Sequence, residues 1–262
     1  MGSAQKQGEI WSAGARSWAD LQEIRHTPIY EAAFDAIGVG RETTLLDAGC
    51  GAGLALDMAR ARGASVAGLD AAEGLLAIAK ERLPLEDLRQ GDIEELPFED
   101  DSFNAVTAFN SVQFAAEPVN ALKEIRRVCK PGNPVAVTVW APQEENDMRV
   151  LLDALRGLSP APPAGAPQGG PFTLSERGEL EALMREAELE VGESVDVPTA
   201  FDYPDKATAV HGMLGTGPGV IAVGNVGEDR TRQVLDEAYG QFVQDDGSVL
   251  LRNKFRVVTA TA

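Results

Sequence analysis

Two cysteines among 262 residues, Cys50 and Cys129, give no basis for a disulfide framework, and no Cys/His cluster has metal-ligand spacing. Histidine is as scarce, with only His26 and His211. No apolar run approaches the roughly 18 residues that cross a bilayer, and the opening MGSAQKQGEI has no signal-peptide core. No run of four Lys or Arg occurs, and 23 basic against 41 acidic residues leave a formal net charge of −18. A field of that sign repels phosphate backbones. These absences set the expectation of a cytoplasmic protein with reduced thiols, no metal, no membrane insertion and no nucleic-acid partner. What is present is a 44% hydrophobic fraction, which fits a folded chain, and enough length for one large domain with an appended lid.

Residues 9–37 carry apolar positions at helical spacing and predict two helices, the second opened by Thr27 as N-cap and Pro28 in its first turn. Strands and helices then alternate. Thr43–Asp47, Ser65–Asp70, Leu85–Gln90, Phe103–Phe109 and Pro134–Trp140 read as strands. Gly53–Arg62, Ala71–Arg82 and Pro118–Cys129 read as helices, the last with Leu122, Ile125 and Val128 on one face. Such alternation implies an α/β fold with a parallel sheet covered on both faces, because parallel strands need crossover connections. Residues 157–171, dense in Pro, Gly and Ala, predict a loop. Thr173 and Glu176 have capping-box spacing for a helix through Glu188. A strand over Val191–Val197, extending toward Phe201, helices over 204–216 and 228–244, and a strand over Val249–Thr261 complete the reading.

The chemistry concentrates in Leu45-Leu46-Asp47-Ala48-Gly49-Cys50-Gly51-Ala52-Gly53, where the first strand turns into a helix. A dinucleotide loop reads G-x-G-x-x-G; here the spacing is G-x-G-x-G and position 54 is Leu. An acidic residue, Asp47, precedes the loop. A pyrophosphate gains nothing from that carboxylate, whereas S-adenosylmethionine, with a sulfonium, an ammonium and no phosphate, does. Asp70, with Ala71 beside it, ends the second strand and can accept both ribose hydroxyls. Asp92 can accept from an adenine amine while Ile93 packs the ring. Asn110 and Ser111 end the fourth strand, at the edge where open α/β sheets bind ligands.

These residues resemble the class I S-adenosylmethionine-dependent methyltransferases of small-molecule type, the group that includes the ubiquinone/menaquinone-biosynthesis enzymes. LLDAGCGAG is similar to the family's first motif, GDIEELPFEDDSFNAV to its G-D-A-x-x-L-P-F-x-D-x-S-F-D-x-V stretch, and LKEIRRVCKPGNPVAV to its L-x-E-x-x-R-V-L-K-P-G-G segment. Asn104 and Asn133-Pro134 depart from those patterns, in a strand start and a turn. The resemblance implies a Rossmann-like three-layer sandwich with a seven-stranded, mostly parallel sheet, an antiparallel last strand and a helical lid. It divides the chain into N-terminal helices (1–40), a cofactor-binding core (41–203), a helical lid (204–247) and a final core strand (248–262). It assigns S-adenosylmethionine, converted to S-adenosylhomocysteine, to Asp47, Gly49, Gly51, Gly53, Asp70, Ala71, Asp92, Ile93 and Asn110.

The expected reaction is methyl transfer to an O-, C- or N-atom of a small hydrophobic or aromatic molecule, by a monomer or homodimer. The alternative is a protein of this fold that uses the cofactor for a cyclisation or hydroxylation. A nicotinamide dehydrogenase is disfavoured by the glycine spacing and by the lack of a catalytic His or Tyr-Lys pair; a regulatory subunit with a vestigial site would bind no cofactor. His26 and His211 are the two candidates for a base. Trp11 and Trp18 either cover the cofactor or anchor their helix. Met213, Leu214, Tyr239 and Phe242 are expected to make the lid's underside apolar.

Overall fold

A computed structural model of the protein describes residues 3–160 and 170–262. β-Branched and aliphatic segments form seven strands: β1 (Thr44–Ala48), β2 (Ser65–Asp70), β3 (Asp87–Gln90), β4 (Ala105–Phe109), β5 (Pro134–Trp140), β6 (Glu190–Tyr203) and β7 (Val249–Thr261). They lie in one sheet of order β3-β2-β1-β4-β5-β7-β6. The pairings among β1 to β5 are parallel, and β7 runs antiparallel between β5 and β6. The parallel part is what the alternation predicts, and the whole is the Rossmann-like sandwich that the resemblance implies. Pleating sends successive side chains to opposite faces. Leu45 joins the core on the face that carries α3 (Thr27–Ala36), α4 (Leu54–Ala61) and α7 (Met148–Arg156). Leu46 joins the core on the other face, where Leu122 and Ile125 of α6 (Pro118–Val128) and Leu180 of α8 (Glu179–Glu186) pack. Asn104 stitches β4 to β1: its Oδ1 accepts from Thr44 N at 2.7 Å and its Nδ2 donates to Glu42 O at 2.8 Å, far from the strands' carboxyl ends.

Several boundaries differ from the sequence reading. The N-terminal segment is α1 (Ala4–Ala13), a short α2 (Ala15–Ser17), a π turn (Trp18–Gln22) and a 3-10 turn (Glu23–His26) leading into α3. Thr27 does not cap α3; its hydroxyl donates to Ile24 O at 2.7 Å, because the preceding turn already continues into the helix. The Thr173/Glu176 capping box does not form. Thr173 Oγ1 accepts from Gly170 N at 2.9 Å, Leu174 has φ +68°, and α8 starts only after Gly178. Residues 161–169 of the predicted loop lie outside the described residues. Beyond β6 come α9 (Lys206–Leu214), α10 (Gly217–Val226) and α11 (Glu228–Tyr239), the last followed by a single 3-10 turn. α10 has no counterpart in the sequence reading, since Gly217, Gly219 and Gly224 argue against a helix. Tertiary packing overrides that propensity: a Cβ on Gly219 would lie 2.2 Å from Met213 O. Thr216 caps the helix through Gly219 N. α5 (Glu73–Arg82) flanks β2 and packs against α1.

Candidate functional site

The carboxyl ends of β1, β2, β4 and β5 open into a cleft of about 1200 Å³. The N-terminal segment and the start of α10 roof it, through residues such as Trp11, Trp18 and Pro218. The floor is the glycine loop. Gly49 N and Cys50 N both donate to Leu69 O, at 2.7 and 2.9 Å, which folds the loop against the end of β2. Gly49 has φ +90°, and a Cβ there would stand 2.3 Å from Ser111 Cβ. Ser111 is held in place by donating to Ala48 O at 2.6 Å.

Seven of the sequence-predicted positions border the cleft: Gly49, Gly51, Asp70, Ala71, Asp92, Ile93 and Asn110. Asp70 Oδ2 accepts from Gly51 N and Oδ1 from Ala72 N, each at 2.8 Å. Each oxygen keeps a lone pair for a further donor. Asp92 Oδ1 accepts from Glu94 N at 3.0 Å, which fixes the carboxylate beside Ile93. Asn110 sits at φ +51°, donates its N–H to Thr138 O, and leaves its side-chain Oδ1 buried without a partner. An orphaned acceptor of that kind calls for a donor from a ligand.

Two predicted positions stand back from the cleft. Gly53, at φ +82°, N-caps α4 and lies against Ala79 and Leu83. Asp47 is 1% exposed behind the loop, where its cross-strand partner Thr107 donates to Oδ1 at 2.8 Å. Asp47 therefore has no direct face on the cleft. Burial, together with the carboxylates of Asp70 and Glu23, pushes Asp47 up to about 7 despite the Thr107 hydroxyl. The folded protein thus holds this proton more tightly than the unfolded chain, whose carboxyl titrates near 3.8, so Asp47 weakens the fold increasingly as pH rises from about 4 to 7. Asp47→Asn is expected to stabilise the free protein at pH 8 by about 2 kcal/mol, half the roughly 4 kcal/mol that three pKa units represent, because the new amide must itself be buried. The same change should weaken binding of a cationic nucleoside. Thermal melts at pH 8 and pH 4, where the gain should vanish, check the first effect; calorimetric titration checks the second.

The sequence reading missed Glu23. This residue is 2% exposed, its Oε1 accepts from Leu54 N at 3.2 Å, and its Oε2 lies 2.8 Å from Arg82 Nη1. Arg82 also donates to Ala52 O at 2.7 Å, so the N-terminal segment is tied to the loop at two points. Burial raises the Glu23 carboxyl, with Arg82 opposing. No local pattern marks Glu23, since its partners are 31 and 59 residues away.

Every fourth residue of the N-terminal segment, Trp18, Gln22, His26 and Tyr30, faces the cleft. Trp11 also borders it and meets Trp18 edge-on at 5.0 Å, so both tryptophans line the site. A π turn at a ligand cleft is a recurrent functional feature. His26 is 4% exposed among the rings of Trp18, Phe201 and Phe255, at 5.2–5.3 Å. Burial lowers it to about 4, so it is neutral at pH 7. Its Nδ1 lies 3.1 Å from Gln22 O; a carbonyl only accepts, so Nδ1 carries the proton and Nε2 the lone pair. His211 does not border the cleft. It is exposed on α9 two residues from Met213, and two residues turn a helix by about 200°. Of the expected apolar lid residues, only Met213 reaches the cleft; Tyr239 and Phe242 lie in the core behind it.

Among the described residues, no Lys or Arg borders the cleft, while Asp70 and Asp92 do and Asp47 and Glu23 lie behind the loop. The residues present fit a nucleoside that carries positive charge. Fold and site together define an open α/β sheet whose glycine loop and acid-ended second strand border a cleft without basic residues among those described. Residues 46–137 match the family model described as a methyltransferase domain. The chain is 30% identical over 208 residues to a malonyl-[acyl-carrier protein] O-methyltransferase of Serratia marcescens, across 76% of this chain and 75% of that one. It is 38% identical over 107 residues to the demethylmenaquinone methyltransferase of Renibacterium salmoninarum, covering 41% of this chain. The chain spans less than half the length of that relative and of a second demethylmenaquinone methyltransferase. The protein in complex with the Trm112 methyltransferase activator of Haloferax volcanii shares the fold, with a TM-score of 0.61, 23% identity, and 98% and 97% of the two chains covered. The chain belongs to the class I S-adenosylmethionine-dependent methyltransferases. S-adenosylmethionine is the cofactor of that family.

Proposed function

We propose that this protein transfers a methyl group from S-adenosylmethionine to a small hydrophobic or aromatic molecule. The observation that carries this reading is the division of the cleft by strand order: the carboxylates and the glycine loop follow β1 to β3, while the rings of Trp140 and Phe201 come from β5 and β6 across central β4. Asp70 would hold the ribose hydroxyls, Asp92 and Ile93 the adenine, and the Gly49–Gly51 loop with Asn110 the amino-acid end, while Asp47 sets the field beneath. When bound, the cofactor supplies a methyl group made electrophilic by its sulfonium. The chain's own task is then to position an acceptor and exclude water, which is worth up to about 7–11 kcal/mol for well-oriented reactants. Trp11 and Trp18 close the roof over that space. His26 Nε2 can accept a hydrogen bond from an acceptor hydroxyl and hold it in one orientation.

Demethylmenaquinone and malonyl-[acyl-carrier protein] are the acceptors named for two relatives. The aromatic wall supports a ring over an acyl ester. In this reading, residues 204–247 and the N-terminal segment are the covering pieces over a core that binds the cofactor. The protein is incubated with labelled S-adenosylmethionine and a panel of demethylated quinones and phenols. The expected result is S-adenosylhomocysteine formed in proportion to methylated product. An acceptor converted with no S-adenosylhomocysteine would replace this reading with a non-methylating use of the cofactor.

A further inference from the structure

We infer that Gln113 is the polar anchor of the acceptor, and that the acceptor is a neutral aromatic molecule bearing a ring hydroxyl or carbonyl; this rests on the methyl-transfer reading above. Gln113 lies in a 3-10 turn (Val112–Phe114) that follows β4 directly. It borders the cleft and is 1% exposed, yet both its Oε1 and its Nε2 are buried with no partner. Orphaned buried amides are destabilising and rare in folded proteins, so an amide with both ends free needs an explanation. Its place on the sheet supplies one. β4 is the central strand, with β1 and the cofactor carboxylates on one side and β5, which ends in Trp140, on the other. Gln113 therefore sits at the border between the two halves of the cleft.

Gln22 also borders the cleft, but its amide head lies against Tyr203 and Gly212, neither of which borders it. Its Oε1 accepts from the Tyr203 hydroxyl at 2.8 Å, and its Nε2 is buried without a partner. Gln113 therefore offers one spare donor group and one spare acceptor, both uncharged. A carboxamide recognises groups that donate and accept without formal charge, such as a phenol or a ring ketone. Anionic acceptors need cationic partners, and no Lys or Arg borders the cleft among the described residues. The ring is held by aromatic walls, where Trp140 and Phe201 stand edge-to-face at 6.0 Å. The cofactor's handles, by contrast, face Asp70, Asp92 and Asn110, none of which hydrogen-bonds Gln113.

The test uses the full chain saturated with S-adenosylhomocysteine and two probes of one ring system, 2-naphthol and 2-naphthoate, followed by calorimetry. Wild type should bind 2-naphthol at least tenfold more tightly than 2-naphthoate. Gln113→Leu should lose at least tenfold in 2-naphthol affinity and keep S-adenosylmethionine affinity within threefold. Its ligand-free melting temperature should rise by about 2–4 °C, since two orphaned polar atoms are gone. A structural amide would instead lower it. Equal binding of the two probes, no naphthol binding by wild type, or an unchanged variant overturns the inference. So does a tenfold loss of cofactor affinity, which would place Gln113 in the cofactor half. Gln113→Met, closer in shape, is measured if the leucine variant does not fold; failure of both to fold makes the amide structural and overturns the inference. If wild type binds no S-adenosylmethionine, the methyl-transfer reading itself fails; if it binds the cofactor but not naphthol, only this inference does.

Discussion

Asp70→Ala is expected to weaken S-adenosylmethionine binding by about 100-fold or more. Two charge-assisted hydrogen bonds to ligand hydroxyls, each worth roughly 1.5–3 kcal/mol, would be lost. The loss reaches further than the ligand. Gly51 N and Ala72 N both donate to this carboxylate at 2.8 Å, so the variant also releases the crest of the glycine loop and the start of α5. Asp70→Asn separates the two effects. Its remaining oxygen can keep one backbone donor, while its amide cannot accept from a ribose hydroxyl. Both variants are titrated calorimetrically with S-adenosylmethionine. An affinity within threefold of wild type for Asp70→Ala would remove the ribose role from this residue.

Gly49→Ala is expected to cost about 3–5 kcal/mol of stability and to abolish cofactor binding. A Cβ at φ +90° is strained by roughly 1–2 kcal/mol wherever it occurs. Here it would also meet Ser111 Cβ at 2.3 Å and Ser111 Oγ at 2.9 Å. Relief requires the end of β4 to move away from β1 and break the Ser111–Ala48 hydrogen bond. For a chain of this size the drop corresponds to about 10 °C in Tm. Gly132→Ala is the control, because Gly132 has φ +75° and a methyl group added there would meet nothing within 4 Å, so only strain applies. Adding Ser111→Gly to Gly49→Ala should recover the part due to the clash. If Gly49→Ala melts no lower than Gly132→Ala, the close approach of β1 and β4 is not what glycine at this position serves.

The succession of strands and helices in the parallel part was legible because each crossover unit carries its own signal. Thr43–Asp47 and Ser65–Asp70 are apolar runs that end in an acid, and each is followed by a helix closed with Gly63 or with basic residues. Loop and acids at fixed spacing likewise pointed to one edge of the sheet. What escaped the reading was set by contacts distant in sequence. Glu23 acquires its role only when the N-terminal segment lies over the loop, and Gln113 is an ordinary glutamine until its turn is buried. Asp47 was counted among the cofactor residues, but spacing cannot tell a side chain in the cleft from one a layer beneath it, where Asp47 lies. The α7 stripe of Met148, Leu151, Leu152 and Leu155 had the right period but went unread, whereas α10 broke the propensity rules outright. The Thr173 capping box shows the converse, a correct local pattern overruled by Leu174 at positive φ.

At two places the roof docks through bare main chain. A Cβ on Gly8 would lie 2.5 Å from Ala71 O, and one on Gly14 would lie 2.2 Å from Gly215 O. Contacts of that kind leave no side chain to exchange and, with the Glu23 ties, hold the seat of the N-terminal segment fixed while the inward row at 18, 22, 26 and 30 carries the variable chemistry. Diversification toward new chemistry in such an architecture would proceed by repainting that row, with no change in loop length or in the seat itself.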